Sequence, residues 1–193
     1  MADNPLDELG GKTPLEAART PHMDFIARNG KVGRIKTIPD KMTPASDVAN
    51  ISILGYDPKK FYFGRGPLEA ANLGVELKGQ DVAFRCNLIT TSGDTLTDYS
   101  AGHISTKEAA TLLHFINQKL GNERFKFYPG VSYRHLLVVK DAADQGLDEL
   151  ECIPPHDILG KNIAHNFPKG KNADAIIALM QESRSLLATH EIN

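Results

Sequence analysis

Ser105-Thr106-Lys107-Glu108-Ala109-Ala110-Thr111-Leu112-Leu113-His114-Phe115-Ile116-Asn117-Gln118-Lys119-Leu120-Gly121 opens on a capping box and closes on glycine. Ser105 can accept from the Glu108 amide while the Glu108 carboxylate reaches back, which satisfies two first-turn donors at once. Ala109, Leu112, Leu113, Ile116 and Leu120 fall on one face, so the segment predicts an amphipathic helix that needs an apolar surface. The flanking residues offer one. Val82 to Thr91 reads as a strand ended by the turn Ser92-Gly93-Asp94. Phe125 and Phe127 alternate on another, Pro129-Gly130 turns, and Ser132 to Lys140 returns as a third. This run, preceded by a short helix from Gly66-Pro67 to about Gly74, predicts a compact α+β unit over residues 64–155.

The residues on either side have a different character. Thr13-Pro14-Leu15-Glu16 is a second capping box with proline at the first helical position, and Thr20-Pro21 starts another helix that stops at Asn29-Gly30. Val32 to Ile38 reads as a strand before the Pro39-Asp40 turn, and Val48, Ile51 and Leu54 form a helical stripe ended by Gly55. Beyond Pro154-Pro155, the last amphipathic helix runs from about Ala173 to Thr189. Residues 1–63 and 156–193 thus offer several amphipathic helices but one strand. Helices of an α/β fold bury their apolar faces on a parallel sheet, and a single strand is no sheet. The chain therefore reads as the first part of a longer polypeptide, the alternative being a small helical module completed by a partner.

Composition narrows the function classes. The chain has 193 residues, 24% of them charged, and a formal net charge of -2. No long Lys/Arg run is present, which argues against nucleic-acid or membrane-surface binding, since phosphate backbones demand clustered positive charge. The N-terminus is acidic and polar, unlike a signal peptide, and the apolar runs are far shorter than the roughly 20 residues that span a bilayer. The two cysteines, Cys86 and Cys152, form no C-x-x-C pair and read as reduced thiols of a cytoplasmic protein.

Few motifs carry chemistry. Gly10-Gly11-Lys12-Thr13 matches the tail of a P-loop, but the pattern needs glycine at position 6, which is Leu6. The seven histidines are scattered, none with zinc-ligand spacing, so the chain offers no self-contained metal site. Pro44-Ala45-Ser46-Asp47-Val48-Ala49-Asn50 is more informative. A serine where a loop enters a helix lies near unpaired amides and the positive end of the dipole, which suits a phosphate ester. Ser followed by Asp is equally a routine N-cap, and local physics leaves both readings open.

The segment Ala45 to Pro58 resembles the nucleophile region of the archaeal-type, 2,3-bisphosphoglycerate-independent phosphoglycerate mutases, members of the alkaline phosphatase superfamily. Further motifs follow in order: Leu9 to Glu16, Phe63-Gly64-Arg65-Gly66-Pro67-Leu68-Glu69-Ala70, Asp81 to Asn87, Asp98 to Ile104, Phe127 to His135, and Pro154 to Lys161. The resemblance covers essentially the whole chain. Ala45 stands where glycine is expected, Val48 where threonine is common, and His103 where some members have arginine.

The resemblance implies an α/β fold: an incomplete alkaline-phosphatase-like core (a parallel sheet flanked by helices) from residues 1–63 and 156–193, with the α+β unit 64–155 inserted over the substrate. It implies interconversion of 3-phosphoglycerate and 2-phosphoglycerate through a phosphoserine at Ser46. Two divalent ions, Mn2+ or Mg2+, would serve as cofactors, with Ser46 among their ligands. Arginine is a planar bidentate donor for carboxylate and phosphate, so Arg85 and Arg134 become the first candidates for substrate binding, followed by Arg65 and His103. His156 and Asp157, at the return crossing, read as hinge residues or ligands. The family's first metal-binding aspartate precedes residues like Met1-Ala2-Asp3, and its other ligands would follow residue 193. The implied partners are therefore the phosphoglycerate substrate and the missing segments of the same polypeptide, and the chain alone is expected to be inactive. A phosphatase or another phosphosugar mutase of the superfamily is the second reading. A non-catalytic module binding a phospholigand or a partner is the third.

Overall fold

The computed structural model describes residues 4–192, so the expectation attached to Met1-Ala2-Asp3 lies outside the described residues. The chain divides into two compact units, Met1–Lys60 and Phe61–Asn193.

In the first unit, α1 (Pro14–Ala17) forms as its capping box requires. The Thr13 hydroxyl accepts from the Glu16 amide at 3.2 Å, and Glu16 accepts from the Thr13 amide at 2.8 Å. α2 (Pro21–Asn29) and α3 (Ser46–Ile53) follow, and α4 (Pro58–Phe61) lies at the boundary between the units. The strand expected from Val32 to Ile38 does not form, and no parallel sheet exists among the described residues. The reason is physical: a β-branched run becomes a strand only when a second strand takes up its ladder hydrogen bonds. Several apolar side chains of this unit remain open, with Val32 80% and Ile26 69% exposed, whereas Val48 of α3 is buried at 2%.

The second unit holds the α+β arrangement expected from sequence. α5 (Arg65–Asn72) precedes β1 (Val82–Asn87), the hairpin β2 (Thr90–Ser92) and β3 (Thr95–Asp98), and α6 (Thr106–Leu120). β4 (Phe125–Tyr128), β5 (Arg134–Val139) and α7 (Ala173–Leu187) complete it. The main sheet is antiparallel in the order β1-β5-β4, with Arg85 opposite Leu136 and Asn87 opposite Arg134. Strand alternation sends Val82, Leu137 and Val139 to one face, where Phe84, Phe125, Ile176 and Leu179 pack. Leu136 and Val138 go to the other face, under Ala70 and Leu73 of α5. The single strand read from Val82 to Thr91 is in fact two, β1 ending at Asn87 and β2 starting at Thr90, although the Leu88 amide carries the β1–β5 register one residue further by donating to the Tyr133 carbonyl at 2.9 Å.

Residues 156–193 also pack within this unit. Gly160 donates to Leu96, Leu96 donates to Lys161, and Leu187 and Ile192 lie against the apolar face of α6. One close approach fixes α5 on the sheet. A Cβ on Gly66 would sit 1.7 Å from the Ala83 carbonyl oxygen, so the helix can lie at this depth only because the residue has no side chain.

Candidate functional site

Ser46 is the first helical residue of α3, and the N-cap is Ala45, whose methyl cannot cap. Of the two local readings, the N-cap one therefore fails. The Ser46 side chain is exposed, and no described residue hydrogen-bonds its hydroxyl. The first helical bond runs from the Ala49 amide to the Ala45 carbonyl at 3.0 Å, leaving first-turn amides at the helix start beside an uncommitted hydroxyl. Asp47 turns its carboxylate to its neighbour, accepting from the Val48 amide at 3.2 Å.

The candidate substrate residues all belong to the second unit. Arg85 and Arg134 stand on the α5 face of the sheet: Arg134 is directly opposite Asn87, which is two residues beyond Arg85. That diagonal spacing is about 7–8 Å between Cα atoms, within reach of one small dianion for side chains of this length. Arg65 is the first residue of α5, the helix whose Gly66 abuts Ala83 on this face. Arg85 Nε lies 3.9 Å from Glu69 Oε1, too far for a hydrogen bond, and is buried without an acceptor. Asn87 Oδ1 is likewise buried without a donor. An unused donor and an unused acceptor on one sheet face are what a polar ligand would satisfy.

His103 is exposed and has a left-handed backbone, φ 57°. Its loop meets the one carrying Arg134: Ser132 Oγ donates to the Ile104 carbonyl at 2.8 Å, and the Tyr99 and Tyr133 rings lie edge to face at 6.1 Å. The Arg134 guanidinium lies 5.8 Å from the Tyr133 ring centre. His156 extends this group, 6.3 Å from Tyr99, and its Nε2 is 3.6 Å from Asp157.

Sequence reasoning missed two residues. Asp98 accepts from Ser100 and Gly102, and these hydrogen bonds hold its carboxyl below the usual aspartate range. His135 is 2% exposed, its Nδ1 accepts from the Gly130 amide at 3.0 Å, and burial lowers its pKa to about 4. Both lie inside quoted motifs, Asp98 to Ile104 and Phe127 to His135, which carry no cue to their bonding.

Among the described residues, no group of three His, Cys, Asp or Glu side chains could hold a metal ion. The single hydroxyl of Ser46 does not make a divalent-ion site, so the residues present do not fit the two ions by themselves.

A family model for the 2,3-bisphosphoglycerate-independent phosphoglycerate mutases matches residues 27–193. The chain belongs to this family. It is 55% identical over its whole length to the mutase of that name from Methanosarcina barkeri, of which it covers 48%. A probable mutase of the same type from Geobacter sulfurreducens is 51% identical over 98% of the chain, again with 48% of the relative covered. The chain thus spans about half the length of the curated relatives it matches. Among solved structures, the cofactor-independent phosphoglycerate mutase of Thermoplasma acidophilum superposes with a TM-score of 0.57 at 32% identity, over 99% of this chain and 51% of that one. A Pyrococcus horikoshii protein superposes at 0.67 with 27% identity, over 43% of its length. No described helix is long and apolar enough to cross a membrane.

Proposed function

We propose that this chain carries the phosphate-accepting serine of a phosphoglycerate mutase. In this reading Ser46 Oγ attacks the phosphorus of 3-phosphoglycerate and forms an O–P bond as the substrate's C3–O–P bond opens. The proton of Ser46 ends on the departing glycerate oxygen. The neighbouring C2 hydroxyl then takes the phosphoryl group, its proton returns to Ser46, and 2-phosphoglycerate leaves. The observation that carries this reading is the uncommitted Ser46 hydroxyl at the start of α3, in a helix whose N-cap position is held by alanine and has no side-chain cap.

Arg85 and Arg134 are proposed to hold the carboxylate and phosphate, with Arg65 and His103 at the margin. The buried, unpartnered Arg85 Nε supports this assignment. Residues 64–155 are proposed as the covering domain that keeps water from the phosphoserine, the difference between a mutase and a phosphatase. Two divalent ions, Mn2+ or Mg2+, are proposed as cofactors, with Ser46 as one ligand and the others from segments outside these residues. Two free thiols and a glycolytic substrate support a cytoplasmic setting.

The test is to join the chain to the remaining segments of the Methanosarcina barkeri relative and assay it with 3-phosphoglycerate and Mn2+. The joined protein should form 2-phosphoglycerate, while the 193-residue chain alone should form none. Turnover by the chain alone would overturn the division of labour proposed here. Release of inorganic phosphate in place of 2-phosphoglycerate would make the protein a phosphatase.

A further inference from the structure

The loop after β3 has an unusual backbone. Ala101, Gly102 and His103 lie at φ 50°, 66° and 57°, three consecutive left-handed residues, of which only one is glycine. A side chain there crowds the carbonyl oxygen, so such a turn persists only when its surroundings hold it. The holder is visible. Asp98 Oδ1 accepts from the Ser100 amide and hydroxyl, both at 2.7 Å, and Oδ2 accepts from the Gly102 amide at 2.7 Å. Ser100 is only 2% exposed, so the carboxylate is tied to a buried anchor at the end of the hairpin.

The far end of the turn is a docking point. The Ile104 carbonyl accepts from Ser132 Oγ at 2.8 Å, and Thr106 Oγ1 accepts from the Ser132 amide at 3.1 Å. Ser132 is itself left-handed at φ 53°, in the tight loop that delivers Arg134. We propose that Asp98 is a positioning residue: its carboxylate holds the left-handed turn that presents His103 and, through Ile104 and Ser132, sets the loop of Arg134. The inference deepens the reading of His103 and Arg134 as substrate residues and rests on it. Both oxygens of Asp98 accept from donors of its own turn, so its part is played through the backbone that it holds.

The experiment is amide hydrogen exchange on the full 15N-labelled chain, read at Ser100, Gly102 and Ser132. Asp98→Asn keeps one acceptor oxygen, so Gly102 should exchange roughly tenfold faster or more while Ser100 stays protected. Asp98→Ala should speed all three, including Ser132, which Asp98 does not touch. Adding Ala101→Gly should restore Ser132, because glycine takes positive φ without help. Unchanged Ser132 exchange in Asp98→Ala, or no recovery with Ala101→Gly, overturns the proposal. If Asp98→Ala fails to fold, slower or unchanged Gly102 exchange in Asp98→Asn overturns it alone. A second arm titrates 3-phosphoglycerate and follows the Arg134 side-chain NH: its response should vanish in Asp98→Ala and return with Ala101→Gly. Exchange that behaves as expected while 3-phosphoglycerate moves neither Arg134 nor His103 in the unaltered chain supports the positioning and defeats the substrate reading.

Discussion

Acidification should destabilise the second unit through His135. Burial lowers the imidazole from its ordinary value of 6.5 to about 4, so the folded chain keeps it neutral where the unfolded chain protonates it. Between these values the unfolded state binds more protons, and stability therefore falls as the pH drops from above 6.5 towards 4, levelling below that. The full window is worth about 3 kcal/mol, and the step from about pH 7.5 to about pH 5 takes ~2 kcal/mol of it. Asp98, Glu16 and Glu108 do not interfere. Hydrogen bonds depress all three carboxyls, so their contributions are intact above the ordinary values of 3.8 and 4.5 and are lost only lower. The assay is urea unfolding followed by circular dichroism at the two pH values, for the natural chain and for His135→Gln. Glutamine can accept from the Gly130 amide but does not titrate. The natural chain should lose a midpoint of roughly 1 M urea between the two conditions, and the variant should lose much less. Equal losses in both, or an imidazole signal for His135 titrating near 6.5, would refute the reasoning.

Three substitutions test the packing and the nucleophile's setting. Gly66→Ala should destabilise the chain by roughly 2–4 kcal/mol in denaturant unfolding, because its Cβ meets a backbone oxygen that cannot rotate away; a loss under about 1 kcal/mol would mean that α5 sits less deeply. Leu113→Ala removes a side chain only 2% exposed from the α6 cluster and should cost about 2–5 kcal/mol by the same measurement. Ser46→Ala should change stability by no more than ~0.5 kcal/mol, since Ser46 lies inside α3 and its side chain makes no cap hydrogen bond. A loss near 1 kcal/mol would restore the capping role.

The α+β unit was legible because its signals agree across levels. The capping box of Ser105 and Glu108 forms both of its bonds, and Leu112, Leu113 and Ile116 are buried as their spacing implies. The strand from Val32 to Ile38 was misread because β-branching reports what a residue tolerates and not whether a partner strand exists. Thr13 and Ser105 cap as their boxes predict, whereas Ser46 lies one residue inside its helix, a shift no local pattern distinguishes. The arginines were found by their chemistry and the quoted motifs. Their common face emerged only with the β1–β5 register, which pairs Asn87 with Arg134. Asp98 and His135 act through hydrogen bonds to backbone amides, and no residue pattern announces those.

The most direct test of the central claim is mass spectrometry of the Ser46 peptide. The chain joined to the missing segments of its Methanosarcina barkeri relative would be quenched in acid during turnover of 3-phosphoglycerate. The account predicts one phosphate on Ser46, with Ser46→Ala abolishing both the modification and the formation of 2-phosphoglycerate. Turnover that survives Ser46→Ala, or phosphate found on another residue, would contradict it.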